Sequence, residues 1–162
     1  MYPWIVFLHV IGAFFFLLVH GASVVVFFKL RGERDMQRIR ALLELSNYPL
    51  NAMWGTLLLL LIPGIIAGFM GNWWGRAWIW TSLGLLLGIS IASWTLGTRY
   101  FNRLREAVGL PWFDGRKEHA AIPPVGPEAV AELISAGRPW LLLAIGAGGI
   151  VVITWLMMFK PY

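Results

Sequence analysis

The chain of 162 residues contains no cysteine, which excludes disulfides, thiolate metal sites, iron–sulfur clusters and cysteine nucleophiles together. Any metal or cofactor must be held by His, Met or carboxylate, or by no protein ligand at all. Charge is scarce too: 13% of the residues are Asp, Glu, Lys or Arg and 59% are hydrophobic, against roughly 25% and 45–50% in a soluble domain. None of those charged residues falls inside the long apolar runs. That absence weighs against an ion-coupled transporter or a proton relay, since such machines keep ionisable groups at membrane depth despite their cost.

What the chain does have is apolar length. About 20 apolar residues are needed per membrane crossing, so four crossings and their connectors use nearly the whole sequence. The reading is all-α, an integral membrane four-helix bundle formed by one membrane domain over residues 1–162. The spans are expected at about 3–28, 53–70, 77–98 and 140–159, with connections at 29–52 and 99–139. The first run carries no Lys or Arg ahead of it and continues to Phe28, so it reads as a retained span rather than a signal peptide. Pro63 lies within the second span and removes a backbone hydrogen bond there. From Gly32 to Leu50, the residues Met36, Ile39, Leu42 and Leu43 recur at helical spacing among Arg34, Arg38 and Arg40, the pattern of a juxtamembrane amphipathic helix. Pro111 to Pro127 holds four of the nine prolines and is expected to be a loop. Glu128 to Ala136 reads as a short helix broken by Gly137-Arg138-Pro139.

The net charge of +5 does not signal nucleic acid, because the basic residues lie at the ends of apolar segments. Lys29, Arg31, Arg34, Arg38 and Arg40 crowd the first connection, and Arg99, Arg103, Arg105, Arg116, Lys117 and Arg138 the third. The second connection has only Arg76, beside Trp73, Trp74, Trp78 and Trp80 at the level of an interfacial aromatic belt. The positive-inside rule therefore predicts cytoplasmic first and third connections with amphipathic juxtamembrane helices, N-out and C-out. Arg99, Arg103 and Arg105 are expected to anchor the third span, with a grip on anionic lipid as the alternative.

Gly64 and Gly68, Gly84 and Gly88, and Gly146 and Gly149 make smooth helix faces suited to close approach, within the chain or in a homo-oligomer. The residues with chemistry to offer are His9 and His20, eleven positions apart on the first span. That spacing places them about 20° from a common face and roughly 16 Å apart along the axis. A haem normally takes a second axial ligand from another helix. The remaining histidine, His119, lies in a loop, so no bis-histidine site closes. His9 falls near the level of Met157, which leaves a His/Met haem, a five-coordinate haem on His9, or a Cu(I) site of imidazole and thioether. His20 falls near Ser90, Ser93 and Trp94, and Gly21-Ala22-Ser23 follows it, which suits hydrogen bonding and close helix contact. For both histidines, a hydrogen bond to a neighbouring helix is the competing explanation.

The stretch Trp4-Ile5-Val6-Phe7-Leu8-His9-Val10-Ile11-Gly12-Ala13 resembles the "LHxxGA" opening of four-helix bacterial membrane proteins in the broad grouping of copper-resistance protein D and HemJ-type protoporphyrinogen oxidases. The likeness covers about the first two-thirds of the chain and is sharp only around His9. It implies an inner-membrane location and a first-helix histidine associated with haem b or with copper. HemJ-type enzymes also rely on an intramembrane lysine, whereas Lys29, Lys117 and Lys160 all lie at ends or in a loop. Two functions follow: a haem-binding protein of electron transfer or haem handling, and an accessory subunit that packs against a larger membrane complex. Copper transport is the third.

Overall fold

In the computed structural model the described residues are 1–48 and 52–162. The expected end of the amphipathic segment at residue 50 lies outside them. The order is α1 (Tyr2–Gly32), α2 (Met36–Leu45), α3 (Asn47–Met70), α4 (Ala77–Ser93), a π turn (Trp94–Thr98), α5 (Arg99–Ala107), β1 (Trp112–Phe113), β2 (Glu118–His119), α6 (Pro127–Ala136), α7 (Pro139–Leu143), a second π turn (Ala144–Gly148) and α8 (Gly149–Phe159). Four helical stretches among the described residues are long and apolar enough to cross a membrane: Tyr2–Gly32, Ala52–Met70, Ala77–Ala107 and Pro127–Phe159. The expected break in the last stretch is present, with α6 ending at Ala136 and α7 opening on Pro139.

Length governs the architecture. The first and third stretches each run 31 residues, about 46 Å of helix, against a hydrocarbon thickness of about 30 Å. Both rods carry their C-terminal turns at the same end of the bundle and project there as an apolar stem. Phe27 of α1 stacks on Tyr100 of α5 at 4.2 Å between ring centroids and meets Phe101 at 5.6 Å. Around this stem lies the largest core, which includes Leu30, Ile39, Leu43, Leu104, Val108, Val130 and Ile134, each 2% exposed or less.

The short helices follow from the stem. Asp35 caps α2 by accepting the Gln37 amide. Ile39 and Leu43, one turn apart, are buried against the stem, as are Val130 and Ile134 of α6. The amphipathic faces therefore turn inward to protein, where the sequence pattern suggested a membrane surface. Arg105 is likewise not a lipid anchor. It is 4% exposed, and it donates from Nη1 to the Leu43 carbonyl at 2.7 Å and from Nε to the Pro111 carbonyl at 2.9 Å. Arg40 returns the contact, donating to the Val108 carbonyl at 2.8 Å. Each arginine thus meets the carbonyl-rich C-terminal end of the other's helix, where positive charge is favoured. Gly137 fits between Phe27 and Tyr100, and a Cβ there would lie 2.5 Å from the Phe27 ring. The Tyr100 hydroxyl donates to the Ile134 carbonyl at 3.3 Å, and burial pushes its phenol above the ordinary range.

Residues 111–127, expected to be a loop, contain a small antiparallel hairpin pairing Trp112 with His119 and Phe113 with Glu118. Its turn uses Gly115 at φ 95°. Asp114 accepts the Arg116 and Lys117 amides, each at 2.7 Å, and pairs with His119 Nε2 at 2.9 Å. The Trp112 and His119 rings stack at 3.9 Å. These contacts across a tight turn escaped a reading based on proline content.

At the opposite end, Asn72 takes the left-handed conformation at φ 55° and the Trp73 indole donates to the Tyr2 hydroxyl at 3.2 Å. The Lys160 ammonium lies 4.1 Å from the centre of the Trp73 ring. This aromatic end is separated from the basic end by the full length of the apolar rods.

Arg105→Met keeps the apolar stem and removes the donors, so thermal unfolding in detergent is expected to show a loss of about 1–3 kcal/mol. At the hairpin, the His119 hydrogen bond, then the Lys117 and Arg116 amides, hold the Asp114 carboxyl well below the ordinary carboxylate range. A depressed carboxylate stabilises the hairpin above its unfolded pKa, near 4, and that contribution disappears as pH falls through the folded value. NMR titration of Asp114 is expected to show this depression, and His119→Ala should return the carboxyl toward the ordinary range.

Candidate functional site

His9 and Gly12, three residues apart on α1, share one face and meet α3 at Pro63. Proline has no amide proton, so the Leu59 carbonyl loses the helical donor that position 63 would otherwise supply. Gly12 packs against that stretch of backbone: a Cβ on it would lie 2.6 Å from the Leu59 oxygen and 2.7 Å from the Leu60 nitrogen. His9 Nδ1 is 2.8 Å from the Leu60 carbonyl oxygen. A carbonyl only accepts, so Nδ1 carries the proton and Nε2 the lone pair. The ring sits over Gly64, where a Cβ would come within 2.7 Å of Nδ1. The histidine and glycine of the "LHxxGA" stretch therefore form an interhelical clasp on the proline-interrupted segment of α3.

His20 repeats the device on another helix. It is 4% exposed and lies over Gly146, a glycine inside the second π turn whose Cβ would collide with the imidazole. Phe16 stacks near it at 6.5 Å. Its Nε2 has no protein partner, and neither does the Ser93 hydroxyl. Both residues line a small cavity of about 20 Å³ together with Ser23, Met53, Gly97 and Thr98. The expected level of His20 with Ser93 is thus the level at which the two meet, although Met53 and the π turns were not anticipated.

The two histidines differ in what they leave free. His9 Nε2 makes no hydrogen bond and is not among the sealed polar atoms. His20 Nε2 is enclosed against Gly146. Met157 packs with Trp78, Ile79 and Leu156 at the aromatic end, while His9 lies on α3. Among the described residues no group of three or more His, Cys, Asp and Glu could hold a metal ion.

The chain matches no family model, no curated protein and no solved structure.

The glycines divide by use. Gly64 and Gly146 receive histidines, Gly68 receives the Trp74 ring with a Cβ distance of 3.1 Å, and Gly149 receives Ile89. Gly84 and Gly88 meet nothing within 4 Å of a Cβ, so their face of α4 is open rather than packed within the chain. Sequence spacing shows which glycines share a face but not which face a neighbour covers. Gly12 was the residue missed as a site; its signal was the three-residue step from His9 facing a Pro63-Gly64 pair.

Gly12→Val is expected to force α1 off the α3 backbone and cost about 1–3 kcal/mol, read by thermal unfolding in detergent. Gly84→Ala, with no neighbour to meet, should stabilise by about 0.4–1 kcal/mol, since Ala has the higher helix propensity.

Proposed function

We propose that this is a multi-pass protein of the bacterial inner membrane, with both termini outside and the basic end cytoplasmic, that binds b-type haem through His9. The observation that carries this reading is the His9 hydrogen bond to the Leu60 carbonyl at 2.8 Å. A ligating histidine characteristically donates its other ring N–H to a backbone carbonyl or carboxylate, which sets the tautomer and makes the free nitrogen a better ligand. His9 has that arrangement, with Nε2 unpaired and unsealed.

The donor set fits one axial position. His20 does not supply another, because its Nε2 abuts Gly146 and the neighbouring cavity of about 20 Å³ is far below the roughly 300–1,000 Å³ of an enclosed ligand pocket. Met157 packs on α4, which does not support it as a sixth ligand. The haem edge would therefore lie at the surface of the α1–α3 pair, covered by lipid or by another chain. When bound, it would supply one-electron redox chemistry at the outer side of the membrane. Within the chain, His9 would hold the iron, the Leu60 carbonyl would orient the imidazole, and the Gly12 contact would keep α1 in register with α3.

A second reading, a non-catalytic accessory subunit of a membrane complex, is favoured by a different observation. Both histidines act as clasps over glycines, an arrangement that is complete without any cofactor. Copper binding is a third, and it would use the same His9 lone pair.

Absorption spectroscopy of protein purified after expression with ample haem separates the readings. A Soret band is expected in the parent and should be lost, with folding retained, in His9→Gln. A band unchanged by that substitution, or no band at all, removes the haem proposal. Metal analysis of the same samples detects copper, and recovery of a stoichiometric complex from native membranes supports the accessory role.

A further inference from the structure

The haem proposal uses only His9, which leaves a buried polar group without a partner in the apolar bundle unexplained. His20 is 4% exposed and its Nε2 has no protein hydrogen-bond partner, as is true of the Ser93 hydroxyl. A neutral imidazole nitrogen donates or accepts according to its tautomer. The Ser93 hydroxyl can both donate and accept. The two atoms do not bond to each other, yet both residues line the same cavity of about 20 Å³.

We infer that this cavity is a binding site for a single water molecule, which hydrogen-bonds to both His20 Nε2 and the Ser93 hydroxyl. Size, chemistry and surroundings agree. A cavity needs roughly 10–15 Å³ of occupiable volume and two to four polar partners to hold one water. Ser23 and Thr98 line the same space and bring two further hydroxyls. Leaving two polar atoms unpaired in an apolar interior costs more than immobilising one water. A cavity lined only by aliphatic groups would stay dry.

The backbone around the site is irregular on two sides. Gly97 and Thr98, which line the cavity, belong to the π turn Trp94–Thr98, and Gly146 beneath His20 belongs to the π turn Ala144–Gly148. A π turn interrupts the regular ladder of helical hydrogen bonds and is a common feature of functional sites. The water thereby joins α1 to the junction of α4 and α5, at a level where Leu142 of α7 lines the cavity.

Two measurements on the full chain test this. In a high-resolution structure determined in lipid, one water peak within hydrogen-bond distance of both His20 Nε2 and Ser93 Oγ is expected. An empty cavity, a metal ion in it, or a direct bond between the two side chains overturns the proposal. The second measurement is solid-state NMR of the ¹⁵N-histidine-labelled protein in bilayers, with magnetisation transferred from water protons to ring nitrogens. A transfer peak at His20 Nε2 is expected in the parent. It should be lost in Gly97→Ala, whose Cβ would lie 3.6 Å from Leu142 in ordinary contact and whose methyl takes up cavity space. An unchanged His9 Nδ1 resonance confirms that the variant is folded. Absence of the peak in the parent, or its persistence in the folded variant, overturns the water site.

Discussion

A polar ring nitrogen inside an apolar bundle has to find a partner, and His9 of α1 finds one on the backbone of α3 where proline interrupts that helix. His9 lies over Gly64 beside Pro63, and His20 lies over Gly146 within a π turn. In each case a glycine removes the side chain that would block the imidazole, and for His9 the Leu60 carbonyl meets it. Between apolar helices in lipid there is little hydrophobic gain from contact, so close packing and interhelical hydrogen bonds must supply the attraction. The register of α1 against α3, and of α1 against α7, rests on these two contacts and on Gly12.

The basic end is held by a different force. There Val26, Phe27, Leu30, Phe101 and Leu104 form an apolar stem. Hydrophobic burial is completed by the small helices α2 and α6, which supply the cover with Ile39, Leu43, Val130 and Ile134. The paired arginines Arg40 and Arg105 then satisfy the helix-end carbonyls that this packing encloses. One molecule thus uses glycine notches along its long apolar rods and an aliphatic core at its basic end.

The two histidines diverge because their glycines sit in different places. Gly64 seats His9 through Nδ1 and Cε1, whereas Gly146 lies against Nε2 of His20. Identical side chains on one helix therefore differ in access: His9 Nε2 is not sealed, whereas His20 Nε2 is sealed and unpartnered on a residue that lines a cavity fitting a water. The haem proposal and the water site follow from that single difference.

Much of this was legible along the chain. Uninterrupted apolar runs, basic clusters and the Gly137-Arg138-Pro139 break are local properties, and the helices fall where those properties place them. The level shared by His20 and Ser93 was also within reach, since helical rise converts residue counts into depth. What only the tertiary structure decided was direction. The side to which α2 turns Ile39 and Leu43, the inward course of Arg105, the hairpin at 112–119, and the open face at Gly84 and Gly88 all depend on which neighbour is present. An amphipathic pattern specifies an apolar face without saying whether lipid or protein will cover it. For this chain the difference came from two long rods that bring Phe27, Leu30, Phe101 and Leu104 together at one end, a fact of assembly that no single segment contains.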